Sequence, residues 1–431
     1  MQELEKQEQK DIFQKSKKFG TDIGPGIITG ASDDDPSGIL TYIQSGVVMG
    51  LQSLWIALIT LPLMYGIQET CARIGYVTGK GLVSLLKGQF ARWLVWCVVL
   101  ISAIAIAINI GADLLAMSVV LEKAIPLPRI VWIPLLASFV LAGVILFSYR
   151  TMARILKWFS LALFCYVAVA FFVITDWKEA IIHTFIPSFT ASKESFYLLA
   201  AIIGTTISPY LFFWQASEEN EERNSENVHM HRKVFKPDNS VLRAVRKDTF
   251  LGMLFSNLIM WFILLTAHQL ADTQGLGSLQ SFDEAAMVLY PLLGPWAYFA
   301  FSLGIIGTGF LAIPVLAGSV GYMLSELFGW KEGLNKKFHE AHGFYWSIII
   351  AVLVGCGVVI ANLNPITLLI GAAALYAIIT PVLVFVIMRI ANKPAVMGGF
   401  VNTLSENILG GFVFVATVSA AVLCVWALVS N

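Results

Sequence analysis

The chain has 431 residues, 57% of them hydrophobic and only 13% charged, with a mean hydropathy of +0.76 and a formal net charge of zero. A soluble domain carries about 25% charged residues, so the composition excludes an ordinary soluble enzyme and reads as a polytopic membrane protein. A balanced charge gives no footing for nucleic acid or an acidic partner, and Cys71, Cys97, Cys165, Cys356 and Cys424 show neither a CxxC pair nor metal-ligand spacing.

Residues 1–22 form a polar tail with no hydrophobic core, so a cleavable signal peptide is not expected. A spanning helix needs about 20 mostly apolar residues. Eleven stretches qualify, near 23–49, 52–75, 92–121, 128–149, 152–176, 193–217, 247–271, 296–327, 343–362, 364–390 and 405–429. Placing the tail in the cytoplasm and letting all eleven span puts 24 of the 28 Lys and Arg on the cytoplasmic side. Only Lys123, Arg129, Lys178 and Lys193 fall outside, which the positive-inside rule favours. The C-terminus is then expected outside. The longest polar stretch, 218–247, reads as a cytoplasmic loop; its Glu226, His229 and His231 read as solvated rather than metal-binding.

The first stretch contains Asp33-Asp34-Asp35-Pro36-Ser37-Gly38. A charge at bilayer depth costs about 3 kcal/mol or more on insertion scales, so it marks function by default. Proline lacks an N–H and glycine is a poor helix former, so the helix is expected to break here. The sixth stretch also holds a mid-span proline, Pro209, beside Thr205, Thr206 and Ser208. Two interrupted helices at matching positions of two five-helix halves point to an inverted-repeat secondary transporter. The expected units are 23–176 (first repeat), 193–390 (inverted second repeat) and 405–431 (an extra helix). On the third stretch, Asn109 and Asp113 are four apart and share a helical face.

GPGIITGASDDDPSGILTYIQSG, followed by QETCARIGYVTGKGL, resembles the first two helices of the Nramp (natural resistance-associated macrophage protein) divalent-metal transporters. The resemblance continues in GADLL around Asp113, in GTGFLAIPVLAGSVGYMLSE and in MGGFVNTLSENILGG. It implies an all-α polytopic membrane protein with a LeuT-like fold, two inverted five-helix repeats plus one extra helix. In that family the first helix breaks at Asp-Pro-Gly-Asn, matched here by Asp35-Pro36-Ser37-Gly38, and the sixth carries Met-Pro-His, replaced here by Ser208-Pro209-Tyr210.

Those departures carry chemistry. A methionine thioether favours soft transition metals, and Ser208 removes it. Gly38 removes the motif's Asn oxygen and opens space. What remains is Asp35 as the charged ligand, with Ser208 and the Thr205 backbone as neutral oxygens and Asp34 as an outer contact. Mg²⁺ suits such a site, because it sheds water reluctantly and is held by one or two carboxylates with several waters retained. The pattern is similar to the Nramp-related magnesium transporters, and Mn²⁺ is the second candidate.

The family's proton route uses acidic and histidine residues near the third and sixth helices. Here Asp113 remains, but Ala116, Tyr210 and Gln215 stand where titratable groups are expected, which implies weak or no proton coupling. The expectation is a transporter of hydrated Mg²⁺, possibly Mn²⁺, in a bacterial or archaeal plasma membrane. No cofactor, enzyme activity or obligatory protein partner is expected. The alternatives are a proton-coupled Mn²⁺ importer using Asp35 and Asp113, a LeuT-like carrier of an organic solute, and a metal sensor. Carboxylates at the break would repel an anionic substrate group, and no sizeable signalling domain is evident for a sensor.

Overall fold

The computed structural model describes residues 24–146, 163–229, 237–359 and 364–429. The tail at 1–22, much of the fifth stretch and His231 lie outside them. The described residues are almost wholly helical: α1 (Pro25–Asp33), α2 (Pro36–Met49), α3 (Leu54–Thr78), α4 (Arg92–Ala124), α5 (Arg129–Leu146), α6 (Phe164–Val173), α7 (Lys193–Thr206), α8 (Pro209–His229), α9 (Asn239–Gln274), α10 (Ala297–Phe328), α11 (His342–Val359), α12 (Pro365–Ala391) and α13 (Leu404–Val429). Short helices, such as Leu82–Lys87 and Trp177–Phe185, connect them.

Among the described residues, nine continuous helical stretches are long and apolar enough to cross a membrane. The first of them, Pro36–Thr78, holds both α2 and α3, which turn at Gly50, a residue with φ +61° that glycine adopts without strain. The polar stretch 218–247 is shorter as a loop than its composition suggests. α8 runs on to His229 and α9 already begins at Asn239, because Glu and Arg are strong helix formers even without an apolar face.

Both prolines break their helices. Asp33 ends α1, Asp34 leaves helical geometry (φ −82°, ψ 54°), and Asp35 is extended (φ −71°, ψ 168°) before Pro36 opens α2. A residue before proline is driven to extended backbone, and proline is well suited to a first helical position. The second break follows the same logic: Ile207 (φ −110°, ψ 61°) ends α7 and Pro209 opens α8.

Packing brings the two breaks together. α9 lies along α1, α2 and α3; α7 lies against α2, α12 and α13; α8 lies against α1, α3 and α10; α4 lies against α10, α11 and α12. Gly30 and Gly252 let α1 and α9 touch backbone to backbone, since a Cβ on either would collide with main-chain atoms of the other helix. Small residues serve this purpose in membrane bundles, where close van der Waals approach replaces the hydrophobic effect between helices.

Candidate metal-ion site

Asp35 is 2% exposed and caps α2. Its Oδ1 accepts hydrogen bonds from the Gly38 amide at 2.6 Å and the Ser37 hydroxyl at 2.7 Å. Its Oδ2 accepts from Asn109 Nδ2 on α4 at 2.8 Å. Asp113, one turn further along α4, is fully buried, and neither of its oxygens has a hydrogen-bond partner among the described residues. The remaining oxygen of Asn109 and the hydroxyl of Tyr376, on α12, are likewise buried and unpartnered there.

The second break meets the first at Gly38. A Cβ built on Gly38 would stand 3.2 Å from the Asp33 carbonyl oxygen and 3.3 Å from both Asp35 Oδ1 and Thr205 Oγ1. Gly38 therefore faces the gap between the breaks, and a side chain there would enter it directly. Thr205 presents its hydroxyl to this gap, while its carbonyl accepts a hydrogen bond from the Ser208 hydroxyl. Ser208 also reaches the Gly204 carbonyl at 3.2 Å, so its proton turns back onto α7 and its lone pairs remain. Thr380 Oγ1 on α12 lies 3.1 Å from the Ile207 carbonyl and 2.7 Å from the Tyr376 carbonyl of its own helix, so its one proton is shared between them. No sulfur takes part in the hydrogen bonds that surround Asp35, Thr205 and Ser208 among the described residues.

Tyr210 and Gln215, expected from the resemblance to stand in place of titratable groups, make hydrogen bonds between helices. The Tyr210 hydroxyl donates to the Ser32 carbonyl at 3.0 Å, satisfying the end of α1, and its ring lies 6.0 Å from that of Tyr376. Gln215 accepts from Thr29 at 2.6 Å and donates to Glu219 Oε1 at 3.0 Å, tying α1 to α8. Ala116 is fully buried. Asp34 Oδ1 lies 3.2 Å from the Ser256 hydroxyl on α9, and Asp33 Oδ2 lies 2.7 Å from the same hydroxyl.

Sequence reasoning passed over Tyr42, Glu219, Asp248, Ser256, Tyr376 and Thr380. Glu219 is a buried carboxylate one turn past Gln215, beside a position read as having lost its titratable group. Asp248 accepts from the amides of Gly24 at 3.2 Å and Gly26 at 2.7 Å, and so caps α1 from α9. A carboxylate at the edge of an apolar run was the available signal for Asp248. A lone Tyr, Ser or Thr within an apolar run carries none.

A sequence model described as natural resistance-associated macrophage protein-like matches residues 26–427. The chain is 22% identical over 428 residues to a divalent metal cation transporter MntH of Caldanaerobacter subterraneus subsp. tengcongensis, covering 95% of this chain and 94% of that protein. It is 25% identical over 399 residues to MntH of Klebsiella pneumoniae subsp. pneumoniae, with 88% of each chain covered. Its fold matches a crystal structure of the Eremococcus coleocola manganese transporter in complex with an aromatic bis-isothiourea compound. The TM-score there is 0.72 at 16% identity, over 94% of this chain and 86% of that one. It also matches Mhp1, a nucleobase-cation-symport-1 family transporter, at a TM-score of 0.55 and 12% identity over 94% and 92% of the two chains. The chain belongs to the Nramp family, and its fold is the LeuT-like arrangement of two inverted five-helix halves with an additional helix.

Proposed function

We propose that this member of the Nramp family carries a hydrated, hard divalent cation, Mg²⁺ ahead of Mn²⁺, inward across a bacterial or archaeal plasma membrane by alternating access. The ion is its substrate, held between the two helix breaks. Asp35 supplies the charge, Thr205 and Ser208 supply neutral oxygens, Asn109 orients Asp35, and Asp113 and Asp34 extend the polar path.

One observation carries the reading of the ion. The gap that Gly38 faces is bounded by the oxygens Asp35 Oδ1, Thr205 Oγ1 and the Asp33 carbonyl, and by the resemblance Ser208 takes the place of the motif's methionine. An all-oxygen site with a single carboxylate and a vacant side-chain position gives a soft cation no thioether to bind. It suits an ion that keeps several of its waters. The family membership and the MntH relatives support divalent metal as the substrate class.

The driving force needs no proton. A membrane potential supplies about 2.3 kcal/mol per charge per 100 mV, so a dication gains twice that on inward movement. In this reading the N-terminus is cytoplasmic, the C-terminus is outside, and Ala116, Tyr210 and Gln215 leave the family's proton route interrupted.

The test is uptake into proteoliposomes of Mg²⁺, Mn²⁺ and Cd²⁺, with internal pH recorded alongside. The expected order is Mg²⁺, then Mn²⁺, with Cd²⁺ poorest and no metal-driven acidification. Cd²⁺ uptake equal to Mg²⁺ uptake would sink the hard-cation reading. A second reading, a proton-coupled Mn²⁺ importer, is favoured by the unpartnered Asp113 and the buried Glu219. Acidification that tracks Mn²⁺ uptake would establish it instead.

A further inference from the structure

The three carboxylates of the first break do not converge on one place. Asp35 turns toward α4 and is met by three donors. Asp33 and Asp34 turn toward α9, where one hydroxyl, Ser256 Oγ, lies 2.7 Å from Asp33 Oδ2 and 3.2 Å from Asp34 Oδ1. A serine hydroxyl carries a single proton, so it satisfies one of these oxygens at a time. Asp33 Oδ1 and Asp34 Oδ2 have no partner among the described residues, and both side chains are fully buried. No Lys, Arg or His pairs with either among those residues. A bare buried carboxylate costs several kcal/mol even after the protein relaxes, so each of the pair is neutralised either by a proton or by a cation from outside the chain.

A further group faces the same space. Helical aromatic side chains lean toward the N-terminus of their helix, which on α2 carries Tyr42 back to the break. Its hydroxyl is fully buried and unpartnered among the described residues, and Asp33, Asp34 and Asp35 are the acidic side chains near it. α1 ends here as well, adding the negative end of its dipole. The result is an oxygen-rich, donor-poor cluster, the ligand type that hard cations take.

We propose that Asp33, Asp34, Ser256 and Tyr42 form a second station for a divalent cation, on the α9 side of the break and separate from the Asp35 site. Two carboxylates balance one dication. This rests on the reading of the chain as a carrier of a hard divalent ion. Two dications on neighbouring stations repel each other, so the stations fill in turn. An ion leaving Asp35 then has an oxygen-lined place to go, a need shared by every path on which an ion must be bound yet released.

The test measures Mg²⁺ bound to the purified full chain in lipid nanodiscs, by equilibrium dialysis with elemental analysis. Wild type is compared with Asp35→Asn, with Asp33→Asn/Asp34→Asn, and with the three substitutions combined. Asp35→Asn is expected to keep Mg²⁺ binding, and the combined variant to bind about tenfold more weakly or not at all, as loss of a metal's ligands or their supports does. Ser256→Ala and Tyr42→Phe, each made in the Asp35→Asn background, remove an oxygen without removing charge. They are expected to weaken binding several-fold, and they test the station even if the combined variant does not fold. Loss of all Mg²⁺ binding in Asp35→Asn alone overturns the second station and leaves the Asp35 site standing. Binding of ²²Na⁺ in place of Mg²⁺ at Asp33 and Asp34, or Mg²⁺ binding by Asp35→Asn that is indifferent to them, also overturns it. Wild-type protein that binds no Mg²⁺ removes the functional reading itself, a separate outcome.

Discussion

The two helix breaks are made by the same local device and end with different chemistry. Each has a non-helical residue followed by a proline that opens the next helix. The first break is crowded with carboxylates, so it recruits donors: the Gly38 amide, Asn109 from α4 and Ser256 from α9. The second carries no charge, so it needs donors only for its open carbonyls, and the hydroxyls of Ser208 and Thr380 provide them. Of the two breaks, only the first thus carries charge. The second contributes shape and neutral oxygen. Affinity for a cation should follow the first break, and discrimination among cations should follow the contact between the two.

The largest effect should come from Asp35→Asn. Asparagine caps a helix as well as aspartate does, so α2 keeps its start while the charge and the second acceptor, which Asn109 meets, are lost. Breaking a buried charge pair costs roughly 3–5 kcal/mol, which corresponds to about two to four orders of magnitude in ion affinity. Mg²⁺ uptake should fall to the level of empty liposomes while the protein still purifies as a folded monodisperse species. Substantial uptake by this variant would break the assignment of charge to the first break.

Next in size is the combined variant Gly38→Asn/Ser208→Met, which adds an oxygen ligand from one break and a sulfur from the other. The Gly38 Cβ position lies 3.2–3.3 Å from its neighbours, so they must give by a few tenths of an ångström. Space for retained water is lost and a soft ligand is gained. Cd²⁺ uptake should rise and Mg²⁺ uptake fall, each by about tenfold, the scale on which the ligand environment alters metal affinity. Unchanged ion preference would show that the contact between the breaks does not discriminate.

Glu219→Gln should do less. The glutamine oxygen can still accept from Gln215, so the tie between α1 and α8 survives. If transport is uncoupled, Mg²⁺ uptake measured at several external pH values should keep its wild-type profile. A flattened profile would instead place Glu219 on a proton path.

How much of this was legible in the sequence differs between the two breaks. Pro36 amid three carboxylates and Pro209 amid hydroxyls stand out in apolar runs, so both interruptions can be read directly. The four-residue spacing of Asn109 and Asp113 places them on one face, but that Asn109 reaches Asp35, 74 positions away, is settled only by packing of α4 against α2. The divergence of Asp33 and Asp34 from Asp35 was not legible at all. It depends on which neighbour each carboxylate meets as the chain unwinds, and Ser256 is one serine in an apolar helix 223 positions from Asp33. The 218–247 stretch shows the opposite limit: polarity marked it as a loop, although charged residues extend helices readily once a packed span has nucleated them.

The smallest effect separates what the second break does from what holds it together. Thr380→Val removes the donor to the Ile207 carbonyl with little change of shape. Hydrogen bonds between membrane helices average about 0.6 kcal/mol, because the unfolded chain in lipid also finds partners. Thermal stability in detergent should therefore fall only slightly. The freed carbonyl, however, sits one residue before Ser208 and gains a lone pair to offer an arriving ion or its water. The Mg²⁺ concentration giving half-maximal uptake should shift while the maximal rate and the ion preference stay put. Tyr210→Phe provides the contrast, since it frees the Ser32 carbonyl at the end of α1, where negative potential is already concentrated. If Thr380→Val destabilises the protein more than Tyr210→Phe and leaves uptake untouched, the second break is scaffolding, and the first holds the ion alone.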